Sequence, residues 1–78
     1  MREKQLRVVV AFHTTACAMA TERVCKENGL AGKLISVPRQ ITSDCGIAWS
    51  APLQTRQQLE HLLTVSGIDA AGFYELLL

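Results

Sequence analysis

Little in this sequence announces chemistry or an unusual partner. Aromatic residues are scarce: two phenylalanines, one tyrosine and one tryptophan in 78 residues. Binding single-stranded RNA through a sheet face needs several stacking aromatics with basic neighbours. The first strand-like segment offers only Arg7 and Phe12, and the third only Trp49. An excess of one charge is missing too. Eight basic and seven acidic residues leave a net charge of +1, which provides no electrostatic footprint for nucleic acid or an anionic membrane surface. No apolar run approaches the ~18 residues that a bilayer-spanning helix needs. The opening MREKQLRVVV has early basic residues, but its apolar run is short and leads into a histidine-threonine loop. It reads as a first strand and not as a signal peptide, so the expected location is a reducing cytoplasm.

Cysteine is present but not as a framework. Cys17, Cys25 and Cys45 are an odd number with no CxxC spacing, which is not a disulfide scaffold. Nor are metal ligands paired at short spacing. A zinc site built from His13, Cys17 and Cys45 has nothing in the spacing to demand it, and the expectation is no metal and no cofactor. The chain is long enough for one small domain, burying about 60–65% of its unfolded surface. It has no repeat, linker or low-complexity segment.

What is present is a clear alternation of elements. In residues 6–12, Leu6, Val8, Val10 and Phe12 fall on one face and Arg7, Val9 and Ala11 on the other. Both faces are largely apolar, the pattern of a central strand. After His13, either Thr14 or Thr15 is a suitable N-cap for a helix over 16–28. Its inner stripe reads as Cys17, Ala20, Thr21 and Val24, and Gly29 closes it. A second strand is expected over 33–37, stopped by Pro38, and a third over 46–50, with Pro52 starting the next connection. Thr55 and Gln58 match a capping box for a helix presenting Leu59, Leu62, Leu63 and Ser66, ended by Gly67. His61 lies away from that face. A last strand is expected over 72–77. The order β-α-β-β-α-β predicts an α+β, ferredoxin-like sandwich: a four-stranded antiparallel sheet, order 4-1-3-2, with two helices on one face.

That topology brings distant residues together. The end of the first strand, the start of the first helix and the loop between strands 2 and 3 share one rim. His13, Thr14, Thr15 and Cys17 are therefore expected near Cys45, which sits in the polar stretch SVPRQITSDCGIAWS. A helix N-terminus favours a thiolate, His13 can exchange a proton near neutral pH, and Arg39 can pair with an anion. Ser43 adds a hydroxyl, and Gly46 permits close backbone approach. Asp44 opposes these. A screened carboxylate at ~4 Å disfavours a thiolate by about 1 kcal/mol, whereas an exposed helix terminus returns only about 0.3–1 kcal/mol. Cys17 and Cys25 read as core thiols, with Cys17 a conceivable resolving partner for Cys45 if their Cα atoms lie within about 7 Å.

The run Pro38-Arg39-x-Ile41-x-Ser43-x-Cys45-Gly46-Ile47-Ala48 resembles a family of small bacterial and archaeal domains, the selenium/sulfur carrier-like proteins. Weaker support comes from Phe12-x-Thr14-Thr15 leading into Ala18, Ala20 and Glu22, and from Ser66-Gly67-Ile68. The resemblance covers about Val8 to Tyr74. It implies that Cys45 carries sulfur or selenium as a persulfide or selenosulfide and exchanges it with a protein donor or acceptor. Two departures stand out: Ser50 replaces a common arginine, and Ala16-Cys17 replaces a pair that often contains histidine. The expected function is thus a carrier rather than a stand-alone enzyme, since no acid–base pair for small-molecule catalysis is evident. The alternative is a non-catalytic interaction or homodimerisation module using the sheet face that the helices leave open.

Overall fold

The computed structural model describes residues 4–41 and 45–78. Strand β1 (Leu6–Phe12) leads to helix α1 (Thr15–Glu27) and strand β2 (Lys33–Ser36). Strand β3 (Ile47–Pro52), a 3-10 turn over Leu53–Thr55, helix α2 (Arg56–Val65) and strand β4 (Ala70–Leu77) follow. Every strand pair is antiparallel and the order is β2-β3-β1-β4. This is the expected ferredoxin-like order read from the other edge.

β1 organises the sheet, and Val8 through Val10, Ala11 and Phe12 are fully buried. Alternation sends Val8, Val10 and Phe12 to the helix side, where they meet Trp49, Ala51, Ala18, Cys25, Leu59 and Leu63. Phe12 and Trp49 are therefore core residues, and neither is available to stack on a base. Thr14 is the N-cap: its extended backbone turns the chain, and its Oγ1 accepts the Cys17 N–H at 3.2 Å. The helix therefore starts at Thr15, one residue earlier than expected. Its buried positions are Ala18, Thr21 and Cys25, whereas Cys17, Ala20 and Val24 are half-buried. Thr21 is buried as expected, while Ala18 and Cys25 take the inner positions expected of Cys17 and Val24. Both helices end in the same device. Leu30 N–H bonds Cys25 C=O and Gly29 N–H bonds Lys26 C=O; Ile68 and Gly67 repeat this on Leu63 and Thr64. These are paired Schellman closures on glycines at φ near +70°.

Three strands differ in their bounds from the sequence reading. β2 stops at Ser36 rather than at residue 37. β3 begins at Ile47 and runs on to Pro52, with Ala51 and Pro52 opposite Val8 and Arg7. β4 begins at Ala70, pairing with Phe12 across a register shift, so Gly72 is a strand interior residue. The expected capping box does not form. Thr55 Oγ1 instead donates to Pro52 C=O at 2.7 Å, because the 3-10 turn consumes its hydroxyl before α2 starts. α2 is tied to β4 by Arg56, whose guanidinium bonds Glu60 at 2.8 Å and Glu75 at 2.5 Å and lies over the Phe73 ring. These are half-exposed contacts and add modestly to stability.

The face away from the helices is covered as well. Val9, Ala11 and Ala48 are fully buried there by Ile41, with Ile35, Val37 and Leu76 packed alongside. The connection after β2 makes a turn in which Ile41 N–H bonds Pro38 C=O at 3.0 Å. That turn lays Ile41 across the sheet. The expected open apolar face is therefore closed at its centre, since a strand apolar on both sides needs cover on both sides.

Trp49 is the largest buried side chain, at 1% exposure. Its Nε1 has no hydrogen-bond partner among the described residues. A Cβ on Gly32 would lie 2.5–2.7 Å from the indole atoms, so only glycine fits between α1 and β2. Gly32→Ala is expected to destabilise the domain by about 1–3 kcal/mol through overpacking. Chemical denaturation followed by Trp49 fluorescence measures this, and an unchanged midpoint would contradict the packing.

Candidate functional site: the rim around Cys45

The loop from residue 37 to residue 46 passes from one side of the sheet to the other. Ile41 packs on the helix-free face, whereas Cys45 packs against the helix-side core, as does Cys17. Thr42, Ser43 and Asp44 lie outside the described residues, so the roles expected of Ser43 and Asp44 have no structural counterpart here. The base of the loop is closed by Val37 N–H donating to Gly46 C=O at 3.0 Å. Gly46 has φ +74° and open space where a Cβ would stand. Its glycine character thus serves the left-handed turn and not the close approach expected from sequence.

Cys45 is half-buried, and its Sγ–H donates to Ile47 C=O at 3.2 Å. Only the protonated thiol makes this contact. The sulfur therefore rests against the backbone of the strand it precedes, partly shielded from solvent. All three cysteines are free thiols. Cys25 is fully buried, and burial pushes its thiol pKa up, which keeps it protonated and inert.

The ladder places the other predicted residues. Ala11 is opposite Ala48, so β1 runs out, toward His13, at the end of the sheet where the chain enters β3 from Cys45. His13, Thr14 and Thr15 are exposed at this end. Thr14 already accepts the Cys17 N–H, so one of the helix-terminal donors that would favour a thiolate is occupied internally. Cys17 is half-buried, and its carbonyl accepts the hydroxyl of Thr21 at 2.9 Å. Arg39 is exposed in the turn closed by Pro38 and Ile41, with no ion pair among the described residues. His61 is exposed, as expected. No three His, Cys, Asp or Glu side chains among the described residues group as metal ligands. No helix among them is long and apolar enough to cross a membrane.

Sequence reasoning missed Ile41 as the residue that fixes the loop. The available signal was a lone large apolar side chain inside the polar stretch PRQITSD. Such a residue in a loop marks a point where the loop folds back onto a core.

No curated protein and no solved structure matches the chain. A family model does, over residues 7–75 and therefore over both the sheet and the Cys45 loop. The chain belongs to the family described as "Putative Se/S carrier protein-like".

Proposed function

We propose that the protein carries sulfur or selenium on Cys45 and relays it between partner proteins in a reducing compartment. The observation that carries this reading is the family match over residues 7–75; Cys45 is the thiol within the loop that first suggested the family. In the loading step the Cys45 thiolate, having given its proton to water or to His13, attacks the terminal sulfur of a donor persulfide. A bond forms between Cys45 Sγ and that sulfur, the donor S–S bond breaks, and the donor cysteine leaves with the electron pair and takes up a proton. Thiol and persulfide exchange places, so no oxidant is consumed. Unloading is the same exchange onto an acceptor thiolate. A selenium cargo follows the same balance as a selenosulfide.

The supporting residues divide by role. Gly46 and Ile41 hold the loop, Thr14 caps the helix beside it, and exposed Arg39 offers a cation to an incoming anion. Cys17 is available as a second thiol on the same core. Loading requires the Cys45 S–H···O contact to Ile47 to break, and the Ile41 anchor on the same connection sets how readily Cys45 is exposed to a docked partner.

The interaction-module alternative loses its central surface, because Val9, Ala11 and Ala48 are buried beneath Ile41. The exposed apolar residues of β1, β4 and the chain after β4 are instead Leu6, Tyr74, Leu77 and Leu78, at the sheet margin.

Incubation with a cysteine persulfide donor, followed by peptide mass spectrometry, is expected to add about 32 Da per sulfur at Cys45 and not at Cys25. Cys45→Ser should abolish loading while leaving the fold intact. Loading that persists in that variant, or a Cys45 that stays unmodified in folded protein, defeats the reading. Ile41→Val is expected to cost about 0.5–1.5 kcal/mol and to raise the rate of Cys45 alkylation by iodoacetamide severalfold. Cys25 reports global unfolding and should stay slow. If stability falls while the Cys45 rate does not change, loop opening does not limit access.

A further inference from the structure

Ile41 covers only part of the helix-free face. Beyond it, at the end of the sheet where β1 and β2 begin, lies a hollow of about 530 Å³. Its lining includes Gln5, Arg7, Lys33, Ile35, Ser50 and Leu78. Arg7 is half-buried and fixed in place: its Nε donates to Ser50 Oγ at 2.7 Å and its Nη2 reaches Ser50 C=O at 3.5 Å. Lys33 stands directly across the ladder from Ser50, so its side chain projects from the same face. Reciprocal Gln5–Leu78 backbone bonds of 3.0 Å join the remaining walls.

The charges here are unmatched. Arg56 engages two glutamates, whereas neither Arg7 nor Lys33 has an ion pair among the described residues. Among the described residues, no acidic side chain lines the hollow. Two cations side by side without a counter-ion repel one another, and that repulsion is relieved by a bound anion. The guanidinium is oriented by Ser50 and keeps Nη1 donors in a planar fork that matches a carboxylate. Ile35 and Leu78 supply apolar wall beside it, the mixture that small-molecule sites use.

We infer that this hollow binds a small carboxylate with an apolar body, held by Arg7 and Lys33 and seated against Ile35 and Leu78. The site is separate from the Cys45 rim. Arg7 and Phe12 are five residues apart on β1, about 17 Å at strand spacing, and Cys45 lies near the Phe12 end. The inference stands whether or not Cys45 carries sulfur.

The test is a backbone-amide NMR titration of the full chain with sodium octanoate at constant ionic strength, with octanol as the uncharged control. Octanoate should give saturable shifts at Arg7, Lys33, Ile35 and Ser50, and octanol should not. Lys33→Gln removes a charge from an exposed side chain that makes no hydrogen bond among the described residues, and it should weaken octanoate binding about tenfold, the scale of one lost charge-assisted bond. Arg7→Gln should weaken it further, with the amide spectrum reporting that the fold is kept. Equal shifts from octanol and octanoate would reduce the site to apolar adherence and overturn the inference. So would an absence of saturable shifts, or unchanged binding in a folded Lys33→Gln protein.

Discussion

The structure depends on burying β1 from both sides. Five consecutive residues from Val8 to Phe12 are fully buried, and an alternating strand can achieve this only if each sheet face has a lid. The two helices supply one lid through Ala18, Cys25, Leu59 and Leu63. Among the described residues there is no third helix for the other face, and Ile41 of the β2–β3 connection covers it instead. Each large apolar side chain moved from water to the interior contributes about 1.5–3 kcal/mol, a substantial share of the stability that small domains possess.

This solution ties the Cys45 thiol to the core. The loop that anchors Ile41 on one face also carries Cys45, which packs on the other. The thiol is therefore held against β3 by a structural requirement rather than displayed on a free arm. A sulfur presented this way is partly shielded, with its S–H donating to the Ile47 carbonyl.

The ends of the sheet differ in character. One carries the cysteine rim, with the N-cap at Thr14 and the left-handed turn at Gly46. The other carries Arg7 and Lys33, which have no ion pair among the described residues, with Arg7 steered by Ser50. Ser50 stands where an arginine was expected from the family resemblance. In this chain its hydroxyl instead orients Arg7 from the neighbouring strand, so a guanidinium still occupies that face.

The element order, the topology and the core character of β1 were legible in the sequence because they rest on local alternation and on glycine at helix ends. Gly29 and Gly67 closed their helices as read, and Thr14 capped α1. The motif from Pro38 to Ala48 was enough to suggest the family. Sequence could not reveal the cover on the second face, because Ile41 gains its role from Val9, Ala11 and Ala48, which lie on other strands. It could not foresee that Thr55 would spend its hydroxyl on Pro52, or that Gly32 would be fixed by the Trp49 ring. Nor could it assemble Arg7, Lys33 and Ser50, which are distant in sequence and meet only through strand register. The sequence by itself determined which segments become strands and helices, since those choices follow from neighbours along the chain. The tertiary structure alone decided which side chains shield the thiol and which charges are left unpaired, since both depend on contacts between residues far apart in the chain.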